Sequence, residues 1–290
     1  MLSGIGPKKE LQKHGIQVRV DLPGVGTNLQ DRYEVGVVYK AKEDWTVLKG
    51  SRYAKGDPQY AEWKTTTEGV YGSNGAVLAV IKRSFPQRPL PDLFCFAVLG
   101  KFTGYYPNYS VKIVQNHNYL TWAVLKAHTN NTAGVVTLNS ANPRERPHIS
   151  FRYFQDDTGN QDLDSVVQGV KLVRRLSQPL IDSGVLIEEK APGPKVQTDD
   201  QLRDFVRYQC WGHHASCTCP IGKDDDPMAV LDGDFNVRGT QGLRVVDASV
   251  FPRIPGFFIV SAVYMIGEKA ADVIFATYSK QNAGKRAVAR

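Results

Sequence analysis

The chain contains 290 residues, of which 42% are hydrophobic and 22% charged, a composition typical of a folded globular protein with one large domain or two ordinary ones. Its formal net charge is +7, but the basic residues are scattered along the chain, so the sequence indicates no nucleic-acid partner. No apolar run reaches the roughly 20 residues that a membrane span needs, and four cysteines, three of them within ten positions, form no disulfide framework.

The first half of the chain is predicted to be mostly β. It opens with a helix over residues 7–14, because Pro7 suits a first helical position and Gly15 the left-handed residue that follows a helix, and a short strand at 18–20 comes next. Further segments separated by turn residues are rich in β-branched and aromatic side chains, which predicts strands at 35–40, 76–81, 93–99, 120–128, 134–139 and 148–153. Their lengths and turns favour an antiparallel sheet over βαβ units.

The second half is predicted to hold three helices and one buried strand. Apolar residues at helical spacing predict a helix over 161–176 and another that starts at Thr198 or Asp199. Residues 243–246 are predicted to be a buried strand, and residues 260–278 the longest helix. This order predicts an α+β fold in which an antiparallel sheet with helices is flanked, at both ends of the chain, by pieces of another domain.

The segment with the most distinctive chemistry covers residues 210–219 and reads CWGHHASCTC. One interpretation is a packed turn, since free cysteines are often small buried residues. Another is a metal site built from His213 or His214 with cysteines 210, 217 and 219, although the Cys-X-Cys spacing is unusual for zinc. The third, which we favour, is a catalytic histidine held in a turn of small residues.

The sequence downstream of this turn strengthens the catalytic interpretation. Asp247, Ala248 and Ser249 follow the predicted strand, where small residues let the main chain approach a ligand closely. The long helix, predicted to start near Phe258, presents unpaired amides and a partial positive charge at its first turn, which together favour a negatively charged group.

Three blocks of this sequence resemble the glucose-methanol-choline (GMC) flavin oxidoreductases. The first comprises residues 1–7, 22–26 and 28–31, similar to that family's second signature and the loop after it. The second, residues 134–149, resembles the hairpin of the substrate domain, and the third comprises residues 214–222, 242–252 and 265–274 of the family's C-terminal block. The blocks occur in the family's order, and the resemblance covers nearly the whole chain.

The resemblance implies an FAD-dependent enzyme that oxidises the CH-OH group of a small-molecule alcohol. The family histidine that matches His214 lies near flavin N5 and accepts the hydroxyl proton while a hydride moves to the flavin. By the same resemblance Asp247 and Ala248 contact the cofactor, and the amides around Phe258 and Ile259 face the flavin ring. The implied domains are residues 1–32, a remnant of a Rossmann-like FAD-binding domain; 33–205, the substrate-binding domain; and 206–290, the C-terminal part of the FAD-binding domain.

Two departures from the family pattern shape the expectations. Phe258 stands where the family usually has a second His or Asn, so either His213 compensates or the substrate and reaction differ. The Gly-x-Gly-x-x-Gly fingerprint that cradles the ADP half of FAD is not found in these 290 residues. We therefore expect a fragment that binds FAD weakly or not at all by itself. The alternatives are an inactive fragment that serves as a binding or structural module, and a Cys/His metal module.

Overall fold

The computed structural model of the protein describes residues 1–288, and of residues 280–288 the backbone alone. The strands are β1 (Ile5–Gly6), β2 (Val20–Asp21), β3 (Tyr33–Ala41), β4 (Ala76–Lys82), β5 (Leu93–Val98), β6 (Tyr119–Lys126), β7 (Val135–Thr137), β8 (His148–Ser150) and β9 (Leu186–Ala191). The helices are α1 (Lys8–Lys13), α2 (Pro58–Thr66), α3 (Tyr109–Val114), α4 (Gln161–Asp182), α5 (Asp199–Gln209) and α6 (Val260–Val288). In this described part, none of the helices combines the length and apolar content that crossing a bilayer requires.

The chain divides into two compact units, each made of separate stretches of sequence. The sheet unit comprises residues 32–129 and 157–212, and the histidine unit comprises residues 1–31, 130–156 and 213 onward. Residues 130–156 thus group with the histidine unit, whereas the predicted substrate domain included them. The reason is that this segment is hydrogen-bonded to the first stretch of the histidine unit. The Val136 amide donates to the Gly26 carbonyl at 2.6 Å, and the Leu29 amide donates to the Gly134 carbonyl at 2.9 Å. The assignment of a cofactor or substrate role to each domain stays a prediction.

The sheet unit is built on five antiparallel strands in the order β4-β5-β6-β3-β9. Helix α4 packs its apolar stripe against the sheet, burying residues that recur at helical spacing, among them Leu163, Val166 and Val170. Contact is close at Gly169, where an added Cβ would lie 2.3 Å from Val124 Cγ1 of β6. The predicted α+β class with an antiparallel sheet is therefore confirmed.

The N-terminus of helix α5 carries a complete side-chain cap. Helix α5 starts after Thr198, whose hydroxyl accepts the Gln201 amide, while the Gln201 side chain accepts the Thr198 amide. This reciprocal capping box satisfies two otherwise unpaired donors. The predicted starts of α4, α5 and α6 are confirmed, and so is the left-handed conformation of Gly15, with φ +68°. Strand β9 and helix α2 were not predicted.

The prediction of a buried strand at 243–246 was wrong. Leu243 and Val246 are 42% and 37% exposed, and only an isolated bridge joins Arg244 to Asn236. Gly239 and Gly242, with φ +75° and +71°, turn the chain back on residues just upstream. The segment pairs locally instead of joining a sheet, because apolar composition by itself supplies no neighbouring strand.

Asp57 caps the N-terminus of α2. Its carboxylate accepts the amides of Tyr60 at 2.7 Å and Arg52 at 3.0 Å, and the Tyr71 hydroxyl also donates to it. Burial by itself would raise the pKa of this carboxyl, but the hydrogen bonds from Tyr71 and the amides outweigh burial and lower the pKa to about 2. The carboxylate therefore stabilises the fold when ionised, and that contribution disappears as the pH falls from about 4 toward 2.

We expect Asp57→Ala to lower the free energy of unfolding near pH 7 by about 0.5–2 kcal/mol, the usual value of a lost N-cap. The variant should also lose less stability than the wild type when the pH is lowered through the range just given. Urea unfolding followed by circular dichroism measures both effects. The control is Asp200→Ala, since Asp200 is exposed in the first turn of α5; an equal loss in the two variants would contradict the role of Asp57.

Candidate active site

His214 lies in the histidine unit and is held by its main chain. The residue is 8% exposed, and its amide donates to Asp31 Oδ1 at 2.8 Å. The other carboxylate oxygen of Asp31 accepts the Tyr153 hydroxyl at 2.8 Å. Since Asp31 is itself buried, the carboxylate ties together three stretches of chain that are far apart in sequence. It fixes the backbone from which the imidazole projects.

The segments next to Asp31 and His214 are paired by main-chain hydrogen bonds. Gln30 and Ser216 exchange two main-chain hydrogen bonds of 3.0 and 3.1 Å. Further along, the amides of Cys217 and Cys219 donate to the carbonyls of Ala248 and Ser249 at 3.1 and 2.9 Å. These bonds fix the histidine turn against residues 248–249, of which Ala248 is predicted to contact a cofactor.

The amide side chains of the half-buried Asn28 and the buried Gln30 connect the histidine turn with the loop that leads to α6. Asn28 Nδ2 donates to the carbonyls of Cys217, at 3.3 Å, and Pro252, at 3.1 Å. The Gln30 amide group accepts the Ile254 amide at 3.2 Å and donates to Asn28 Oδ1 at 2.7 Å. These bonds position the start of α6 relative to His214.

The start of α6 faces the histidine. The rings of His214 and Phe258 lie edge to face, with centroids 5.9 Å apart and planes at 74°. Helix α6 begins at Val260, and the Ile259 carbonyl accepts its first intrahelical hydrogen bond, from Val263 at 2.9 Å. The amides of the first turn therefore have no partner within the helix. The structure brings the rings of His214 and Phe258 together; that the amides at Phe258 and Ile259 face a flavin ring stays a prediction.

His213 and Asp247 occupy different positions relative to this centre. The ring of His213 stacks at a tilt of 37° on that of His214, with centroids 4.2 Å apart, and the residue is exposed. Asp247 is also exposed, and its carboxylate accepts the Ser249 amide at 2.7 Å, capping a short 3₁₀ turn over Ala248–Val250. Asp247 thus ends no strand, contrary to the prediction, because its side chain starts this turn.

The cysteines near the histidines do not assemble a metal site. Among the residues that the structure describes, no cluster of three or more His, Cys, Asp or Glu side chains is arranged to hold a metal ion, and Cys210, Cys217 and Cys219 are all free of disulfides. Burial, and then the charge of Asp247, raise the pKa of the Cys219 thiol. The thiolate, which is the metal-binding form, is therefore disfavoured.

Sequence reasoning assigned no role to Asn28, Gln30, Asp31 or Tyr153. The first three were quoted only as part of a family block, although two amides and a carboxylate within four residues, around an apolar Leu29, are an unusual set to bury. Buried polar side chains need hydrogen-bond partners. That pattern could have indicated that these side chains bind another part of the chain. It could not have indicated which distant segment they bind.

The sheet unit carries a separate cluster of aromatic rings around a carboxylate. Glu34, 1% exposed, accepts the indole N–H of Trp211 at 3.0 Å. The ring of Phe102 lies 5.6 Å from that of Trp211 and 5.1 Å from that of Tyr105, in edge-to-face geometry. Gly36 permits this packing, since a Cβ there would lie 2.7 Å from the Phe102 carbonyl. We call Glu34, Phe102, Tyr105 and Trp211 the aromatic cluster.

Two other tryptophans of the sheet unit do not belong to this cluster. Trp122 is buried in the sheet and donates its N–H to the Ser177 hydroxyl at 3.0 Å, so it is a core residue. Trp63 packs beside Tyr60 on α2, with ring centroids 5.9 Å apart. Neither ring is therefore part of the group around Glu34.

Comparison with known proteins gives the family. The sequence model described as GMC oxidoreductase matches residues 130–267. The oxygen-dependent choline dehydrogenase of Brucella anthropi is 35% identical over 281 residues, which are 94% of this chain and 48% of that protein. A formate oxidase structure superposes with a TM-score of 0.75 at 27% identity, covering 96% of this chain and 52% of the other.

A second solved structure, a variant of Aspergillus oryzae formate oxidase described for its FAD modification, has a TM-score of 0.74 at 26% identity over the same shares of the two chains. The chain spans about half the length of the curated relatives that it matches. The matched regions include the histidine turn, the 242–252 segment and the first turn of α6. The chain belongs to the GMC oxidoreductases and corresponds to the C-terminal portion of that family.

Proposed function

We propose that this chain supplies the proton-accepting and substrate-orienting part of an FAD-dependent oxidoreductase that acts on an alcohol. The observation that carries the proposal is the apposition of His214 and the first turn of α6, with ring centroids of His214 and Phe258 5.9 Å apart. A histidine suits this role because its ordinary pKa lies near neutral pH, where one imidazole nitrogen can accept a proton.

The residues present fit a flavin at this place. The flavin ring gains negative charge on reduction. The main-chain amides of Ile259 and Val260, which have no intrahelical partners, can stabilise that charge. When bound, FAD would accept the hydride that leaves the substrate carbon. Ala248 and the main chain of Asp247 are the further residues that we assign to holding it. His213, exposed beside His214, is a second group able to exchange protons at the mouth of the site.

In this proposal His214 accepts the proton of the substrate hydroxyl. Asp31 positions the imidazole by accepting the backbone amide of His214. Phe258 offers no hydrogen bond. For that reason it cannot share the proton as a His or Asn would. Its ring covers one side of the imidazole and excludes water there. Proton acceptance therefore depends on His214, with His213 as the only neighbouring imidazole among the residues described.

The choline dehydrogenases among the relatives lead us to infer a cationic alcohol, such as choline, as the substrate class; the aromatic cluster contains side chains of the type that bind such a cation. Ring faces attract quaternary ammonium groups, and a buried carboxylate adds charge complementarity. Burial, and then the charges of Glu34 and Tyr109, raise the pKa of Tyr105, which keeps its phenol neutral. A ring set of this kind around Glu34 favours a cation over an isosteric neutral alcohol.

The test combines the purified chain with excess FAD under anaerobic conditions and follows the visible flavin absorbance after choline is added. We expect choline-dependent bleaching, and a rate at least about tenfold higher than with 3,3-dimethylbutan-1-ol, the neutral isostere, because a desolvated cation–π contact contributes up to about 2 kcal/mol.

The same measurement separates the alternatives. Flavin that remains oxidised with every alcohol, at saturating FAD, would favour a binding or structural module without redox activity. Equal rates with choline and its neutral isostere would retain the oxidoreductase and reject the cationic substrate. Flavin retained in stoichiometric amount after purification from FAD-supplemented cells would contradict the expectation that this chain by itself binds FAD weakly.

A further inference from the structure

The sheet unit contains a cleft. Helix α4 forms one side of it, and the end of β4 together with the loop after β4 forms the other. Its volume is about 530 Å³, within the range of small-molecule sites. Lys82 and Arg83 come from the β4 side, and Gln168, Leu172 and Arg175 from α4. None of these residues has a part in the proposed redox chemistry.

The charge of this cleft is uncompensated. Within the described part of the chain, Lys82, Arg83 and Arg175 make no ion pair, and the one hydrogen bond of the Arg83 guanidinium is to the Pro89 carbonyl, at 3.2 Å. Their neighbours differ: Arg174 binds both oxygens of Glu189 at 2.6 and 3.0 Å. Three cations that converge on one cleft without a carboxylate attract an anion.

The remaining walls are apolar apart from Ser84, whose amide and hydroxyl donate to the Asp92 carboxylate at 2.7 Å each. Leu93 and Leu172 form a buried floor, and Pro86 and Pro91 of the loop after β4 add rigid apolar surface. Ile81 stands at the rim and is 55% exposed. An inorganic anion would satisfy the cations but leave this surface wet, whereas a neutral apolar molecule would cover the surface and leave the cations unpaired.

We propose that this cleft binds a monomeric anionic amphiphile, a carboxylate head on an aliphatic body. Lys82, Arg83 and Arg175 hold the head, with Gln168 as a neutral donor, and Leu93 and Leu172 contact the body. The site is independent of FAD and of the alcohol substrate. Because its three cations are partly exposed, binding weakens as ionic strength rises.

The test is isothermal titration calorimetry of the full chain with octanoate. We expect one site, with affinity that falls with added KCl and decreases about tenfold or more in K82Q/R83Q/R175Q, since three charge-assisted contacts to the carboxylate head are lost. The control, K42Q/K64Q/R207Q, changes the net charge by the same amount on exposed residues outside the cleft and should bind like the wild type.

A second measurement needs no variant. Octanoate should slow modification of Arg175 by phenylglyoxal, read by peptide mass spectrometry, and leave Arg207 unaffected, while inorganic phosphate and octan-1-ol protect neither. Equal affinity in both triple variants, absence of octanoate binding, or protection by phosphate to the same extent would overturn the proposal. Binding seen only with phosphatidylglycerol vesicles, and not with free octanoate, would overturn it too.

Discussion

Replacing His214 with asparagine is expected to lower kcat for alcohol oxidation by about 10²–10⁴-fold, the usual contribution of a positioned general base. Asparagine is close in size and keeps the backbone amide that Asp31 accepts, so the fold of the turn should be retained. Because the proton is transferred in the transition state, the loss should appear in kcat far more than in KM. Steady-state rates with saturating FAD and varied choline provide the measurement.

The matched control is His213→Asn. The two rings are 4.2 Å apart, yet His213 is exposed while His214 is buried against Phe258. A small effect at 213 beside a large one at 214 would assign the base to His214. The opposite ranking would move the proton acceptor to the exposed ring, and equal small effects would remove both histidines from the chemistry.

Replacing Lys126 with methionine is expected to produce the largest loss of stability, about 3–5 kcal/mol, the usual cost of breaking a buried ion pair from one side. Lys126 ends β6, is 1% exposed, and its ammonium lies 3.2 Å from Asp162 and 3.5 Å from Asp92, both buried. Without the ammonium, both buried carboxylates lose an ion pair, and Asp92 keeps the one with Arg88, at 3.5 Å. Urea unfolding of the variant and wild type measures the difference.

The control for this effect is Lys190→Met. Lys190 pairs with Glu188 on the edge strand β9, where both side chains are exposed, and such pairs contribute at most about 1 kcal/mol. Asp162→Asn added to Lys126→Met should recover part of the loss, since it removes one of the two buried negative charges that Lys126 offsets. A loss at Lys126 no greater than that at Lys190 would show that the buried carboxylates are stabilised by other groups.

Several elements followed from the sequence because their signals are local. The capping box at Thr198 and Gln201 depends on residues within one helical turn. The apolar stripe of α4 depends on spacing, and strands β3, β5 and β6 depend on runs of β-branched and aromatic residues between turns. The resemblance of three blocks to one family likewise placed His214 at the centre of the chemistry before any geometry was known.

The features that support His214 depended on contacts between distant residues. Asp31 reaches His214 across 183 positions and Gln30 reaches Ile254 across 224, so no window of sequence contains both partners. Dependence on distant partners also explains the wrong prediction of a buried strand at 243–246. The apolar residues there indicated burial, but the segment pairs only with a nearby turn. Whether a carboxylate such as Asp92 or Asp162 is buried beside a lysine is also decided by the fold.

The amino-acid sequence by itself determined the α+β class, the starts of the main helices and the histidine on which the proposed reaction depends, because propensity, periodicity and capping act over a few residues. Only the tertiary structure decided which distant polar groups anchor that histidine, which cations remain unpaired in the cleft beside α4, and which charges are buried. Those properties arise from the free energy of long-range packing and desolvation, to which residues hundreds of positions apart contribute jointly.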